Sequence, residues 1–128
     1  MLASQAPCDY PIVMSILIVD DHPSFRAAAR AVLESDGFAV VGEAQDGASA
    51  LEAVRLLHPD VVLLDVQLPD TDGFCVAAEL THDAGGPQVV LTSSRDAADF
   101  GPLVAQCGAC GFIPKAELCA DRLAALLQ

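Results

Sequence analysis

The 128-residue chain has no tryptophan, one tyrosine and only six lysines and arginines. Nucleic-acid surfaces need clustered cations to meet phosphates. Here the six basic residues face 18 acidic ones, for a formal net charge of −12, and no three of them are adjacent. That balance argues against a nucleic-acid-binding face, so no direct DNA contact by this chain is expected. The acidic excess reads instead as solubility, or as a site that attracts a cation. Aromatics are 5% of the residues while hydrophobics are 53%, so the core should be built from Ala, Val and Leu. No apolar run approaches the roughly 20 residues of a membrane span. The first fifteen residues hold no Lys or Arg and no sustained apolar stretch, so no secretory leader is expected in them. The five cysteines (Cys8, Cys75, Cys107, Cys110, Cys119) are an odd number, expected as free thiols in a reducing, cytosolic compartment.

What is present is alternation. Residues 1–14, MLASQAPCDYPIVM, show no period and hold two prolines, and they read as a disordered tail. Met14 directly precedes SILIVDD, so translation from Met1 and from Met14 are both open. From residue 15 to residue 128 one domain is expected. The run Ile16 to Val19 is wholly apolar and ends in acids, as in a parallel strand covered on both faces. Pro23 suits a first helical turn, FRAAARAVLES carries helical spacing, and Gly37 stops it. The unit then recurs. FAVVGEA, VVLL, QVVLTS and CGFIPK read as strands. GASALEAVRLLH, DGFCVAAELTH, a segment DAADFGPLVAQC interrupted near Gly101-Pro102, and ELCADRLAALLQ read as helices. Five βα units imply a five-stranded parallel sheet, doubly wound by right-handed crossovers.

In open α/β sheets ligands sit beyond the carboxyl ends of the strands. Those ends carry Asp20-Asp21 after the first strand, Asp65 after the third, Thr92-Ser93 after the fourth and Lys115 after the fifth. A lone Asp at a strand end is usually a helix cap or a solvated loop residue; four ends with compatible groups are a much rarer accident. Crowded carboxylates repel one another and call for a neutralising ion. Mg²⁺, which takes oxygen ligands and keeps several waters, fits. Asp65 could then be a nucleophile toward a phosphoryl group. Lys115 would hold the incoming negative charge, and the strand-four hydroxyl would donate to a phosphoryl oxygen. The apolar register alone admits Thr92 or Ser93 for that hydroxyl.

The blocks ILIVDDHPSFR, VVLLDVQLPDTDG, VVLTSSRD and GFIPK, in order over about residues 15–127, resemble the receiver domain of bacterial two-component response regulators. The first two are most similar to the NarL/LuxR-type subfamily, whose members usually carry a DNA-binding helix-turn-helix after the receiver. The resemblance implies a CheY-like, flavodoxin-like fold with strand order 2-1-3-4-5, and Asp65 as phosphoacceptor. It implies Asp21 as a direct Mg²⁺ ligand, Asp20 acting largely through bound water, and the Gln67 carbonyl as a third protein ligand. Spacing back from Lys115, the matching lysine, selects Ser93 as the switch hydroxyl, and Phe112 matches the aromatic switch position. A sensor histidine kinase is the implied phosphodonor. Output is expected through the face made by helix four, strand five and helix five, toward a downstream protein or by a dimer that forms on phosphorylation. Autodephosphorylation fits a receiver, and catalytic turnover of a substrate does not. Many receivers carry a proline after the lysine with a cis bond before it; here Ala116 follows, and a cis bond is costly for a non-proline.

Two alternatives are weaker. A haloacid-dehalogenase-type phosphatase also uses an Asp after a strand but needs a second Asp two residues on, where this chain has Gln67. A non-phosphorylated interaction module would often have lost an acid or the lysine, and all are present. Residues 68–79 place Asp70, Asp72, Gly73 and Glu79 at EF-hand spacing, yet Leu68 stands at the first ligand position, so a βα loop with Asp72 capping the next helix is expected. Cys107-x-x-Cys110 precedes a strand rather than opening a helix, which favours packing cysteines over a redox or zinc pair. His22 beside the acids is expected to influence the site without being a catalyst. No linker or helix-turn-helix follows the last helix, and the expectation is a free-standing regulator, with a receiver cut from a longer transcription factor as the alternative.

Overall fold

The structure, a computed structural model, describes residues 13–127. The expected tail therefore lies outside the described residues except for Val13 and Met14. The Met14 carbonyl accepts from the Ala39 amide at 3.0 Å, and its side chain packs partly buried against the core.

Five strands form one all-parallel sheet: β1 (Ser15–Val19), β2 (Ala39–Ala44), β3 (Val61–Asp65), β4 (Gln88–Ser93) and β5 (Gly111–Pro114), in the order β2-β1-β3-β4-β5. The expected order 2-1-3-4-5 and the doubly wound architecture are therefore observed. Central position follows apolar content. Every residue of β3 is buried, while the edge strands β2 and β5 are only partly covered. The β1–β2 register slips between Ile16 and Leu17, which pair with Val40 and Gly42. Val41 is left over, on the exposed edge.

Strand residues alternate between two packed layers, as a period of two requires. Leu17, Val19, Val62, Leu64, Val89 and Leu91 face one layer, formed with α2 (Gly47–Leu57), α3 (Gly73–Leu80) and the single turn α4 (Leu103–Gln106). Ile16, Ile18, Val61, Leu63, Val90 and Ile113 face the other, formed with α1 (Pro23–Ser35) and α5 (Ala120–Leu126). No helix among the described residues is long and apolar enough to cross a membrane.

Two helical boundaries differ from the sequence pattern. The 3-10 turn Ala97–Phe100 and α4 are separate single turns, divided at Gly101 (φ 59°) and Pro102, where an interruption was expected. The last helix was expected from Glu117, but a 3-10 turn (Lys115–Glu117) comes first and α5 starts only at Ala120. Leu118 leaves the helical path to pack against the α1–α5 layer, and Cys119 is fully extended (φ −152°, ψ 162°).

Local capping accounts for the loops beneath the site. Asp46 and Ser49 make a reciprocal capping box at α2, and Asp72 accepts from the Cys75 amide at 2.8 Å to cap α3, as its spacing suggested. Asp70 reaches across to α2, accepting from the Gly47 and Ala48 amides at 2.8 and 3.0 Å. Those amides hold its carboxyl below the ordinary range. Asp70 and Asp72 of the EF-hand-like stretch are thus spent on helix ends.

Gly73 is required by a close approach. A β-carbon there would overlap the Asp65 carbonyl oxygen and lie 2.8 Å from the Val66 α-carbon, both backbone atoms that cannot rotate away. Gly73→Ala is expected to cost about 1–3 kcal/mol, the usual range for overpacking, measured by urea unfolding. Because the clash falls on Asp65 itself, the variant should also lose more of the phosphoryl acceptance expected at that residue than its folded fraction explains.

Candidate functional site

Asp20 continues β1 and is completely buried. Its backbone is held from both sides: its amide donates to the Ala44 carbonyl at 3.0 Å, and its carbonyl accepts from Arg26 Nη1 at 2.6 Å. Arg26 is itself fixed by Glu43 at 2.9 Å, and Glu43 also binds Arg30. The side chain is equally constrained. Oδ1 accepts from the His22 amide at 2.8 Å and faces His22 Nδ1 at 2.9 Å. Lys115 Nζ lies 2.6 Å from Asp20 Oδ2, an ion-pair distance without the angles of a hydrogen bond, and Oδ2 has no hydrogen-bond partner.

Asp65 ends β3 and is 3% exposed. Its Oδ1 accepts from the Gln67 amide at 3.2 Å, and its Oδ2 accepts from Lys115 Nζ at 3.4 Å. Burial first, then the Asp20 carboxylate, push the Asp65 carboxyl up from 3.8 to about 6. The Gln67 amide and the Lys115 ammonium oppose that rise and do not overcome it. Lys115 reaches both acids while lying 4.6 Å over the Phe25 ring, which gives its charge a second, non-ionic support. No cis peptide bond occurs among the described residues, so Lys115–Ala116 is trans.

Ligand atoms of Asp20, Asp21, His22 and Asp65 all lie within 4.8 Å of one another. The donor set fits a hard dication. It is rich in carboxylate oxygen, and its two buried acids, Asp20 and Asp65, share one ammonium, Lys115, which leaves negative charge that a dication would neutralise.

The two strand-four hydroxyls are in different states. Thr92 is buried and donates to the Ile113 carbonyl at 2.7 Å, so its proton is committed to the sheet. The Ser93 hydroxyl accepts from the Arg95 amide at 3.1 Å, which uses a lone pair rather than its proton. Phe112 ends a row of rings: Phe74 to Phe100 at 5.4 Å and Phe100 to Phe112 at 5.8 Å between centroids. It packs, partly buried, against the layer formed with α2, α3 and α4.

Asp20, Asp21, Asp65 and Lys115 thus meet as the strand ends suggested, and Gln67 joins them through its amide. His22, expected to influence the site, has its ring against two of the acids, whereas sequence reasoning missed Arg26 and Phe25. Helical spacing from the acids could have flagged Arg26 as a lone cation beside a carboxyl-rich end; nothing in the sequence pointed to Phe25. Cys75, Cys107, Cys110 and Cys119 are free thiols, and Cys8 lies outside the described residues. Cys107 Sγ turns to the Val104 carbonyl at 3.4 Å and Cys110 Sγ to Gln88 Oε1 at 3.6 Å, consistent with packing rather than a paired site.

With that geometry in hand, the chain matches, over residues 16–128, the family described as the response regulator receiver domain. A protein described as a transcriptional regulator in Pseudomonas aeruginosa is 42% identical over 110 residues, which is 86% of this chain and 53% of that protein. NarL of Mycobacterium tuberculosis, described as a transcriptional regulatory protein, is 41% identical over 82% of this chain and 49% of its own length. The solved receiver domain of NarL from the same organism superposes with a TM-score of 0.80 at 36% identity, covering 91% of this chain and 98% of that one. The chain spans about half the length of these curated relatives.

Proposed function

We propose, for a chain that belongs to the response regulator receiver family, that Asp65 is the phosphoacceptor of a two-component phosphorelay in the cytoplasm, fed by a sensor histidine kinase. As a receiver domain the chain is a signalling protein and not a turnover enzyme. In the transfer, an Asp65 carboxylate oxygen attacks the phosphorus of a phosphohistidine. The new P–O bond forms as the P–N bond breaks, and the imidazole leaves with the electron pair and takes a proton from solvent. Hydrolysis of the acyl phosphate by water returns the carboxylate and inorganic phosphate, so the domain resets itself.

The observation that carries this reading is the convergence of Asp20 and Asp65, both buried, on one ammonium, Lys115. Asp21, Asp20, Asp65 and the Gln67 carbonyl would hold Mg²⁺. When bound, the ion supplies charge neutralisation for phosphoryl oxygens. Lys115 is the mobile cation of the site. It lies nearer Asp20 (2.6 Å) than Asp65 (3.4 Å), and new charge on Asp65 draws it toward the phosphoryl group. Ser93 keeps a proton to donate there, whereas Thr92 does not, which supports Ser93 as the switch hydroxyl. Phe112, in contact with Phe100, is the residue through which that movement reaches the α4–β5–α5 surface and a partner protein.

Incubation with Mg²⁺ and a small acyl phosphate should add one phosphoryl group to the natural chain and none to Asp65→Asn, read by intact-protein mass spectrometry. Equal labelling of the two overturns the assignment.

A further inference from the structure

Arg26 closes the first turn of α1 and is largely covered by the fold, with 16% of its side chain exposed. Two of its N–H groups are committed to different elements. Nη1 donates to the Asp20 carbonyl at 2.6 Å, and Nε donates to Glu43 Oε1 on β2 at 2.9 Å. The Arg26 amide also donates to the His22 carbonyl at 3.1 Å, so one residue closes over the loop that carries Asp20, Asp21 and His22. Strand β2 completes the bracket. Its Ala44 carbonyl accepts from the Asp20 amide at 3.0 Å, and the neighbouring Glu43 is steadied by Arg30 at 2.9 Å.

The bond to the Asp20 carbonyl bears most on Asp21. A peptide unit is planar, so the Asp20 carbonyl, the Asp21 amide and the Asp21 α-carbon move together. Asp20 has other fixings, since it is fully buried with its carboxylate against Lys115 and His22. Asp21 has fewer. Its side chain is 37% exposed, and the carboxylate faces His22, whose own side chain is 63% exposed. The direction in which the Asp21 carboxylate leaves the chain is therefore set from the backbone, at the carbonyl that Arg26 holds. A charge-assisted bond is about twice as strong as a neutral one. A planar guanidinium already anchored on Glu43 also gives up little freedom in making it.

We propose that Arg26 is a positioning residue for the divalent cation, presenting the Asp21 carboxylate by holding the Asp20 carbonyl. This rests on the reading of Asp20, Asp21 and Asp65 as a Mg²⁺ site. Charge and position make opposite predictions for its loss. A guanidinium near a cation site repels the ion, so by charge alone its removal would tighten Mg²⁺ binding. If Arg26 holds Asp21 in place, its removal weakens binding.

Mg²⁺ titrated calorimetrically into the full chain should bind Arg26→Met about tenfold more weakly than the natural protein, as when a ligand loses its support. Arg26→Lys keeps the charge without the fork, and should match Arg26→Met within about twofold. Arg30→Met breaks the other limb on Glu43 and leaves the Asp20 carbonyl alone, so its affinity should stay within about twofold of natural. Labelling by a small acyl phosphate should divide in the same way. The Mg²⁺ concentration for half-maximal rate should rise about tenfold in Arg26→Met, with the rate at saturating Mg²⁺ within about twofold of natural, a recovery no unfolded variant makes. Unchanged or tighter binding in Arg26→Met, rescue by Arg26→Lys, or equal weakening in Arg30→Met overturns the role of Arg26 and leaves the proposed acid site standing. A natural chain that binds no Mg²⁺ overturns that site and this role together.

Discussion

In chelator at about pH 8, Asp65→Asn is expected to be about 3 kcal/mol more stable to urea than the natural chain. The Asp65 carboxyl titrates at about 6 in the fold against 3.8 ordinarily, because burial and the Asp20 carboxylate disfavour its charge. Below 3.8 the group is protonated in both folded and unfolded chains and makes no difference. Between 3.8 and about 6 the unfolded chain gives up the proton while the folded chain retains it, so stability falls as pH rises through that window. Above it the folded chain carries the full cost of a buried negative charge. Eighteen acids titrate in this chain, so one stability curve would mix many groups. The difference between the natural chain and Asp65→Asn isolates Asp65. It should be near zero at about pH 3.5 and fully developed by about pH 7. Millimolar Mg²⁺ should recover much of the deficit in the natural chain, by binding the folded form alone, and recover less in the Asn variant. A flat difference curve would mean that the Asp65 carboxylate is solvated and unburdened.

That a cost of this size sits at the end of the most apolar strand explains why the site could be seen in the sequence. A run such as VVLL must be central in a parallel sheet, and whatever follows it emerges in the crevice at the carboxyl edge. Asp20, Asp65 and Lys115, and a strand-four hydroxyl from Thr92 or Ser93, were legible for that reason: strand order and strand ends fix them before any side chain is placed. The sheet order was legible too, because βα alternation with right-handed crossovers leaves few options. What escaped depends on rotamers and on long-range side-chain reach. Arg26 bonding the Asp20 carbonyl, Phe25 beneath Lys115 and Asp70 reaching the first amides of α2 carry no periodic signal. The late start of α5 escaped because Leu118 follows the core rather than helical propensity, a tertiary preference that overrides a weak local one. Thr92 and Ser93 differ in which hydroxyl proton the sheet has already taken, a distinction invisible to the apolar register, and only the family's spacing from Lys115 favoured Ser93.

Lys115→Met should divide the domain's two capacities, keeping the aliphatic stem while removing the charge. In chelator it should be destabilised by about 3 kcal/mol or more, as expected when buried carboxylates lose their cation. Asp20 has no exposed surface and Asp65 almost none, and the ammonium is the cation that serves both. Mg²⁺ should restore much of that loss, so the variant can be assayed folded. In Mg²⁺ it should still accept a phosphoryl group, because the proposed nucleophile, Asp65, is kept, yet it should fail to switch. Moving a two-state equilibrium from 1:99 to 99:1 takes about 5.5 kcal/mol of differential stabilisation. One hydroxyl bond from Ser93 to a charged acceptor supplies roughly 1.5–3 kcal/mol. The remainder has to come from the ammonium leaving Asp20 for the phosphoryl group. Ser93→Ala, which keeps Lys115, should therefore respond to beryllofluoride in part, and Lys115→Met scarcely at all, in amide shifts across residues 93–127. A full response in Lys115→Met would place the driving force elsewhere, with the ring row Phe74–Phe100–Phe112 the first place to look, since it runs from α3 to β5.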